Sequence, residues 1–494
     1  MEKNKTLRTD YYELTMAQTY FKQGRKDDVT YFDLFFRKNP FEGGYTLSGG
    51  LDETIEYIKN LHFDEEQIEY LRTKGFDDDF LEYLRDFKFT GDIYAVPDGT
   101  AVFPNEAVLT VKANAIEAQI IETSLLTNFN HGGLVMTKAK RITDAADGRG
   151  VFEFGARRGR GSDSAVEAAK LAYMGGAAGT SNTDAAMEYG IPVVGTMAHS
   201  LVTLYDSEYE AFLDYAKANP NNCVFLVDTY NVLKSGIPNA IRVANEYLKP
   251  NGYKFKGIRI DSGDLAYLSK EARKMLDEAG YTDAGICLSN GLNEYTIKDL
   301  LEQGAEVNTF GVGDNLTAPN DRLGGVYKLV AVENNGEAVP RIKVSEDGIK
   351  TINPGYKKVY RFYDKKTGYA LGDVIALSDE IIPEDKYTLV HPVETWKTTD
   401  LADYNVRELQ VPIFKDGELV YDVPTLEETR EYAEDEFQSL YPEVRRLNKP
   451  HGYYVDLSDK LRELKAELIK LHRSGEDKGK SLVKKRWEKK KLKN

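Results

Sequence analysis

This chain of 494 residues is short of several things, and each shortage narrows what it can be. It has two cysteines, Cys223 and Cys287. They lack metal-ligand spacing and cannot build a disulfide framework, so a zinc knuckle and a stapled secreted fold are excluded and a reducing, cytoplasmic setting is expected. No apolar run approaches the ~20 residues that cross a bilayer, and Met1–Thr6 has no signal-like hydrophobic segment. A soluble protein with no membrane partner is expected. Positive charge is in deficit: 65 Lys and Arg stand against 80 Asp and Glu, and the net charge of −15 argues against nucleic-acid binding across the surface. The tail Lys478–Asn494, with nine Lys/Arg against one Glu, is the local exception and reads as a solvated helix end. Histidine is scarce too, at six. Aromatics are not: 32 Tyr and 21 Phe supply a large core, and the length calls for two or three domains.

One histidine stands out. His199 follows the apolar run that starts at Ile191, which reads as a buried parallel strand opening at its C-terminal end into a loop. In α/β folds that end of a strand is where ligands and catalysis sit. Six further runs end the same way. Val151–Gly155 leads into Arg157, Arg158 and Arg160; Gly175–Thr180 into Ser181-Asn182; Val224–Val227 into Asp228; Gly257–Ile260 into Asp261-Ser262-Gly263-Asp264; Ile286–Leu288 into Ser289-Asn290-Gly291; Thr309-Phe310 into Gly311–Asp314. The runs start roughly 16–33 residues apart, the length of βα units. Between two of them, Asp264–Ala279 carries Leu265, Leu268, Ala272, Met275 and Leu276 at helical spacing, with Gly280 as a stop. About seven such units predict an irregular, closed or nearly closed (β/α) barrel, with an open doubly wound sheet as the alternative.

The rest of the chain divides around this region. Residues 1–115 mix helical and strand-like segments and form an N-terminal α+β domain. Residues 116–330 hold the barrel. Residues 331–425, rich in Gly, Pro and β-branched residues, read as a β-rich portion that completes a discontinuous N-terminal domain, and 426–494 as a small, helical, charged C-terminal extension.

The loops can support specific chemistry. Ser289-Asn290-Gly291 and Gly311-Val-Gly-Asp314 follow strands, and backbone N–H groups there can cradle a phosphate. Asp228, Asp261 and Asp264 can hold Mg²⁺, although Asp264 reads equally as a helix cap. His199 beside an orienting Asp228 makes a nucleophile or base. Arg157 and Arg259 can grip a carboxylate or phosphate in bidentate fashion. Together these suggest phosphoribosyl or phosphoryl transfer.

The ordered motifs Leu7–Tyr12, Phe32–Arg37, Pro40–Tyr45, Val96–Thr100, Phe103–Glu106, Glu153–Arg158, Gly179–Asn182, Gly195–Ser200, Arg259–Asp264, Gly311–Asp314 and Gly324–Val330 closely resemble the nicotinate phosphoribosyltransferase family over most of the chain. The resemblance implies a type II phosphoribosyltransferase: an irregular α/β barrel, a discontinuous N-terminal domain and a homodimer with shared active sites. It implies that nicotinate and phosphoribosyl pyrophosphate yield nicotinate mononucleotide and pyrophosphate, coupled to ATP hydrolysis, with Mg²⁺ carried on the pyrophosphate near Asp261. His199 matches the histidine that ATP phosphorylates and Asp228 the carboxylate that orients it, and Asp261 is expected as a further catalytic residue. Tyr12 matches the aromatic that stacks on the pyridine ring. Arg157, Ser181, Thr196 and Arg259 fall where nicotinate is held, and Gly291, Gly313 and Asp314 where the ribose phosphate binds. Nicotinamide-specific relatives resemble the chain but carry Asp in place of Ser181. An Asp there would accept from an amide and repel a carboxylate, so Ser181 favours the acid. A nicotinamide or quinolinate enzyme, a non-catalytic nucleotide sensor and a Mg²⁺-dependent barrel lyase are the rival readings, separated by substrate competition and by whether ATP labels His199.

Overall fold

The computed structural model describes residues 4–345, 351–391, 394 and 396–473; the basic segment Lys478–Asn494 lies outside them. The described residues form two compact units, one from 4–134, 322–425 and 435–473, the other from 135–321 and 426–434.

The first unit is built on a seven-stranded antiparallel sheet with Leu109–Asn114 at its centre and, next to it, the interior strand Val29–Phe36. That strand is buried along almost its whole length and pairs with Leu109–Asn114 on one side and Gly325–Asn334 on the other. Phe32, Leu34 and Phe36 face a core completed by Ile55, Ile68, Phe80 and Leu84 of three short helices. Residues 322–330, expected with the barrel, thus fall in this unit: Val326–Leu329 pair with Phe32–Phe35. Residues 116–134 also join this unit, because Ile116, Ile120, Ile121, Leu125 and Phe129 bury their side chains in its core. A second, four-stranded sheet joins Lys357–Asp364 and Ala370–Leu377 with Tyr404–Glu408 and Val455–Leu457.

The second unit carries the parallel sheet. Six of the expected runs are strands, in the order Gly179–Thr180, Gly150–Glu153, Thr309–Val312, Gly285–Ser289, Gly257–Ile260 and Val224–Leu226. Helices follow them, among them Leu265–Glu278, which Asp264 caps by accepting from Tyr267 N at 3.0 Å.

The seventh run departs from expectation. Ile191–Ala198 is not a strand. It makes one parallel bridge, Thr180 to Val193, with Thr180 N donating to Pro192 O and Val194 N to Thr180 O. Pro192 has no N–H to extend the ladder, and Val193 is 60% exposed. Beyond it the chain leaves the sheet. Asn222 Nδ2 donates to Gly195 O at 3.1 Å, and Tyr215 OH to Thr196 O, so side chains satisfy carbonyls that a neighbouring strand would otherwise pair. The expected closure is therefore not seen: among the described residues no ladder joins this edge to Val224–Leu226, and the parallel sheet is open. No helix among the described residues is long and apolar enough to cross a membrane.

Candidate active site

The carboxyl ends of the parallel strands gather the polar side chains. His199 is the first residue of the short helix His199–Leu204, where the expected strand end would have been. Its Nδ1 lies 3.1 Å from Thr229 Oγ1, while Nε2 faces Asp228 Oδ1 and Asp261 Oδ2, each at 3.9 Å. Asp228 is thus a charge neighbour of the ring, and Thr229 makes the hydrogen bond.

The two aspartates differ. The Asp228 side chain is only 1% exposed. Its Oδ2 accepts from Asp261 N at 3.1 Å and Ser262 Oγ at 2.6 Å, and its Oδ1, the atom facing His199, has no hydrogen-bond partner. A buried carboxylate oxygen left in that state is costly unless a bound group satisfies it. Asp261 is more open, and its Oδ1 accepts from Arg259 Nη2 at 3.0 Å and from Ser289 Oγ.

Arg259 is locked by its neighbours. Nε donates to Ser289 Oγ at 2.9 Å and Nη1 to Thr196 Oγ1 at 3.2 Å, and the guanidinium lies 5.5 Å from the Phe154 ring centre. Three of its five N–H groups are engaged by the protein, which leaves two for an anion. Cys287 pairs in register with Arg259, and burial pushes its thiol up, so it stays a neutral neighbour.

The remaining candidates sit on adjacent strand ends. Arg157 is exposed in the turn Ala156–Arg158 that follows Phe154. Ser181 N donates to Glu153 O at 2.9 Å, which fixes the turn after Gly179–Thr180. Asn290 and Gly291 both have positive φ, 96° and 61°, and turn the chain into the helix Glu294–Glu302. Asn293 caps that helix through Tyr295 N and Thr296 N, so the amides left for a phosphate are those before the cap. Glu294 anchors the helix: it is buried and pairs with Lys138 at 2.6 Å and Arg141 at 2.9 Å. Burial opposes its ionisation, but those two cations hold it below the usual carboxylate range. Gly313 precedes the turn Asp314–Thr317, with Asp314 exposed.

Tyr12 lies in the first unit, on the helix Tyr11–Lys22, with 45% of its surface exposed. Burial and the carboxylate of Glu122 raise its hydroxyl well above the usual range.

Three contributors were not singled out in the sequence. Thr229 gives no signal, since hydroxyls are common in turns, and Ser289 reads only as part of a phosphate loop, not as the partner of Arg259. Glu153 does give one: a carboxylate within the apolar run Val151–Phe154 needs a reason.

A parallel sheet whose carboxyl ends lie beside a histidine, two aspartates, an arginine and glycine turns has the layout of an α/β enzyme's active site. Family profiles make this specific. The nicotinate phosphoribosyltransferase (NAPRTase) N-terminal domain matches residues 7–130, the NAPRTase family 150–364 and the NAPRTase C-terminal domain 356–465. The chain is 44% identical to nicotinate phosphoribosyltransferase of Bacillus subtilis over 92% of its length and 93% of that protein, and 32% identical to the Homo sapiens protein of that name over 93% and 95%. The crystal structure of human nicotinic acid phosphoribosyltransferase superposes with a TM-score of 0.82 at 30% identity, covering 94% of this chain and 100% of that one. Nicotinate-nucleotide pyrophosphorylase from Pyrococcus furiosus shares the fold, with a TM-score of 0.67 at 22% identity over 88% and 96%. The chain belongs to the nicotinate phosphoribosyltransferase family.

Proposed function

We propose that this protein joins nicotinate to phosphoribosyl pyrophosphate, in the biosynthesis of NAD, and couples the reaction to ATP through a phosphohistidine. The balanced reaction is nicotinate, phosphoribosyl pyrophosphate, ATP and water to nicotinate mononucleotide, pyrophosphate, ADP and phosphate. The observation that carries this reading is the His199 ring, held at Nδ1 by Thr229 and flanked at Nε2 by two carboxylates, beside an arginine with two N–H groups in reserve.

The nicotinate carboxylate pairs with the spare donors of Arg259, with Arg157, Ser181 and Thr196 completing the pocket. Locked by Ser289, Thr196 and Asp261, Arg259 presents its fork without an ordering cost. The loops at Gly291 and Gly313 take the ribose phosphate, and Asp314 takes ribose hydroxyls. Loss of pyrophosphate builds positive charge at ribose C1, which Asp228 and Asp261 stabilise.

In the ATP step the γ-phosphoryl passes to the imidazole of His199 and ADP leaves. Water later breaks the phosphorus–nitrogen bond and releases phosphate. The phosphoryl group sets new negative charge against Asp228 and Asp261, and so favours cationic partners in the site.

Mg²⁺ fits as an ion carried by the pyrophosphate. Asp261 and the unpartnered Asp228 Oδ1 offer hard oxygen atoms, while no cluster of three or more His, Cys, Asp or Glu side chains among the described residues is arranged to hold a metal alone. Bound there, the ion would neutralise charge on the leaving group.

A homodimer would bring the partner subunit's Tyr12 over the pyridine ring and would cover the exposed apolar side chains Met187, Val193 and Leu204. The two cysteines are both free thiols, which agrees with a cytoplasmic enzyme.

The test is product formation from nicotinate, phosphoribosyl pyrophosphate and Mg²⁺, with and without ATP and with nicotinamide substituted. Nicotinate mononucleotide formed faster with ATP, and lost ATP stimulation in His199→Ala, are the expected results. Full ATP stimulation in that variant would remove the phosphohistidine, and product from nicotinamide alone would overturn the specificity assigned to Ser181 and Arg259.

A further inference from the structure

Glu153 is absent from the chemistry above, yet its side chain sits where three substrate loops meet. It ends the strand Gly150–Glu153, between Gly179–Thr180 and Thr309–Val312, and is fully buried. Oε2 accepts from Thr180 Oγ1 at 2.6 Å; Oε1 accepts from Thr317 Oγ1 at 2.5 Å and from Gly155 N. Each donor belongs to a different loop. Gly155 opens the turn that carries Arg157. Thr180 precedes Ser181, and its hydroxyl oxygen also accepts from Asn182 N at 2.9 Å. Thr317 closes the turn that starts at Gly313, where its N–H donates to Gly313 O.

The packing shows that this convergence is specific. A Cβ at Gly155 would stand 1.9 Å from Thr317 Oγ1 and 2.7 Å from Gly313 O, so the Arg157 turn and the Gly313 turn touch only because residue 155 has no side chain. Among the described residues Glu153 has no ion-pair partner. A buried carboxyl held by neutral donors alone is an expensive choice where an apolar residue would fill a strand end. What a carboxylate offers, and no apolar residue does, is acceptor capacity on both oxygens for three inward-pointing donors.

We propose that Glu153 is a positioning residue that holds the nicotinate loops, at Arg157 and Ser181, and the ribose-phosphate loop, at Gly313 and Asp314, in one shared geometry. This rests on the reading of those loops given above. Misplacing a binding group by a fraction of an ångström weakens binding more than it disturbs the fold. The two substrate sites are then linked through one side chain.

Steady-state kinetics on the full-length protein test this. Glu153→Gln is expected to raise KM for nicotinate and for phosphoribosyl pyrophosphate together, each by about tenfold, with a smaller change in kcat. Should Glu153→Gln fail to fold, the single deletions decide: Thr180→Val is expected to raise mainly the nicotinate KM, and Thr317→Val mainly that for phosphoribosyl pyrophosphate. Both KM values within twofold of wild type, or a fall in Tm and kcat with KM unmoved, would overturn the proposal and leave Glu153 a structural residue. No product from the wild-type protein would overturn instead the reaction, and with it the loop assignment.

Discussion

Arg259 and Arg361 each bind an aspartate and lie near aromatic rings, yet they sit in opposite kinds of cluster. Arg361, in the first unit, is fully buried. It pairs with Asp373 through two bonds of 2.9 and 2.7 Å, donates to Glu436 at 3.0 Å and to Ala101 O at 2.6 Å, and lies 5.4 Å from the Phe103 ring centre. Arg407 closes the far side of Glu436 at 2.6 Å. Around Arg259, by contrast, two N–H groups are unclaimed by the protein and Asp228 Oδ1 is buried with no hydrogen-bond partner. The first cluster completes itself with one proton: Glu106 Oε1 is buried and accepts no hydrogen bond, and a proton on that carboxyl bonds it to Asp373, so no bound group is needed. The second is satisfied only when something binds, and that incompleteness is what makes it the candidate site.

The strongest way to test the contrast is to open the closed cluster. Arg361→Met leaves Asp373 and Glu436 buried and undercompensated, and is expected to cost about 3–5 kcal/mol of stability, read from denaturant unfolding. A loss below about 1 kcal/mol would show that the network is not what holds this region. The matching change in the open cluster is Arg259→Lys. Lysine keeps the charge but cannot reach Ser289, Thr196 and Asp261 at once. The expected outcome is a fall of about a hundredfold in kcat/KM for nicotinate, about 2.7 kcal/mol, with Tm almost unchanged. A collapse in Tm would erase the distinction between the two arginines.

Sequence patterns reached the strands and their ends, because a short apolar run closed by Gly or Asp carries its own signal. They could not reach pairing. Gly325–Asn334 follows the parallel strands in sequence but pairs with Val29–Phe36, some 300 residues away, and nothing local distinguishes the two choices. Ile191–Ala198 had the composition of a strand, but Pro192 and the side-chain bonds from Asn222 and Tyr215 end its ladder after one bridge. In the site, Asp228, Asp261 and Arg259 come together because neighbouring strand ends in one parallel sheet share one rim, and Thr196 and His199 reach that rim from the segment that leaves the sheet after Val193. Asp264 had two readings, and its bond to Tyr267 N makes it a cap. The residues that lock the site, Thr229, Ser289 and Glu153, act through geometry that exists only once the sheet has formed.

The effect that is smallest over any one pH unit sharpens the contrast most finely. Beside Arg361 and Arg407 stand three carboxyl groups, those of Asp373, Glu436 and Glu106, so the closed cluster has one acid too many. Burial, and then the neighbouring Asp373, push Glu106 well above the usual carboxylate range. A carboxyl raised in this way binds its proton more tightly folded than unfolded. The stability it contributes is complete below the unfolded pKa of about 4.3, and is lost as pH rises through the folded value. Glu106→Gln imitates the protonated form at every pH. Near pH 4 the variant and the wild type should therefore be about equally stable, and as pH rises the variant should become the more stable, by at most about 1.4 kcal/mol per pH unit. Urea unfolding of both proteins at several pH values measures the gap. Parallel curves would mean that Glu106 is ionised in the fold; the cluster would then carry an unbalanced charge, as the open site does, and self-sufficiency would no longer separate the two arginines.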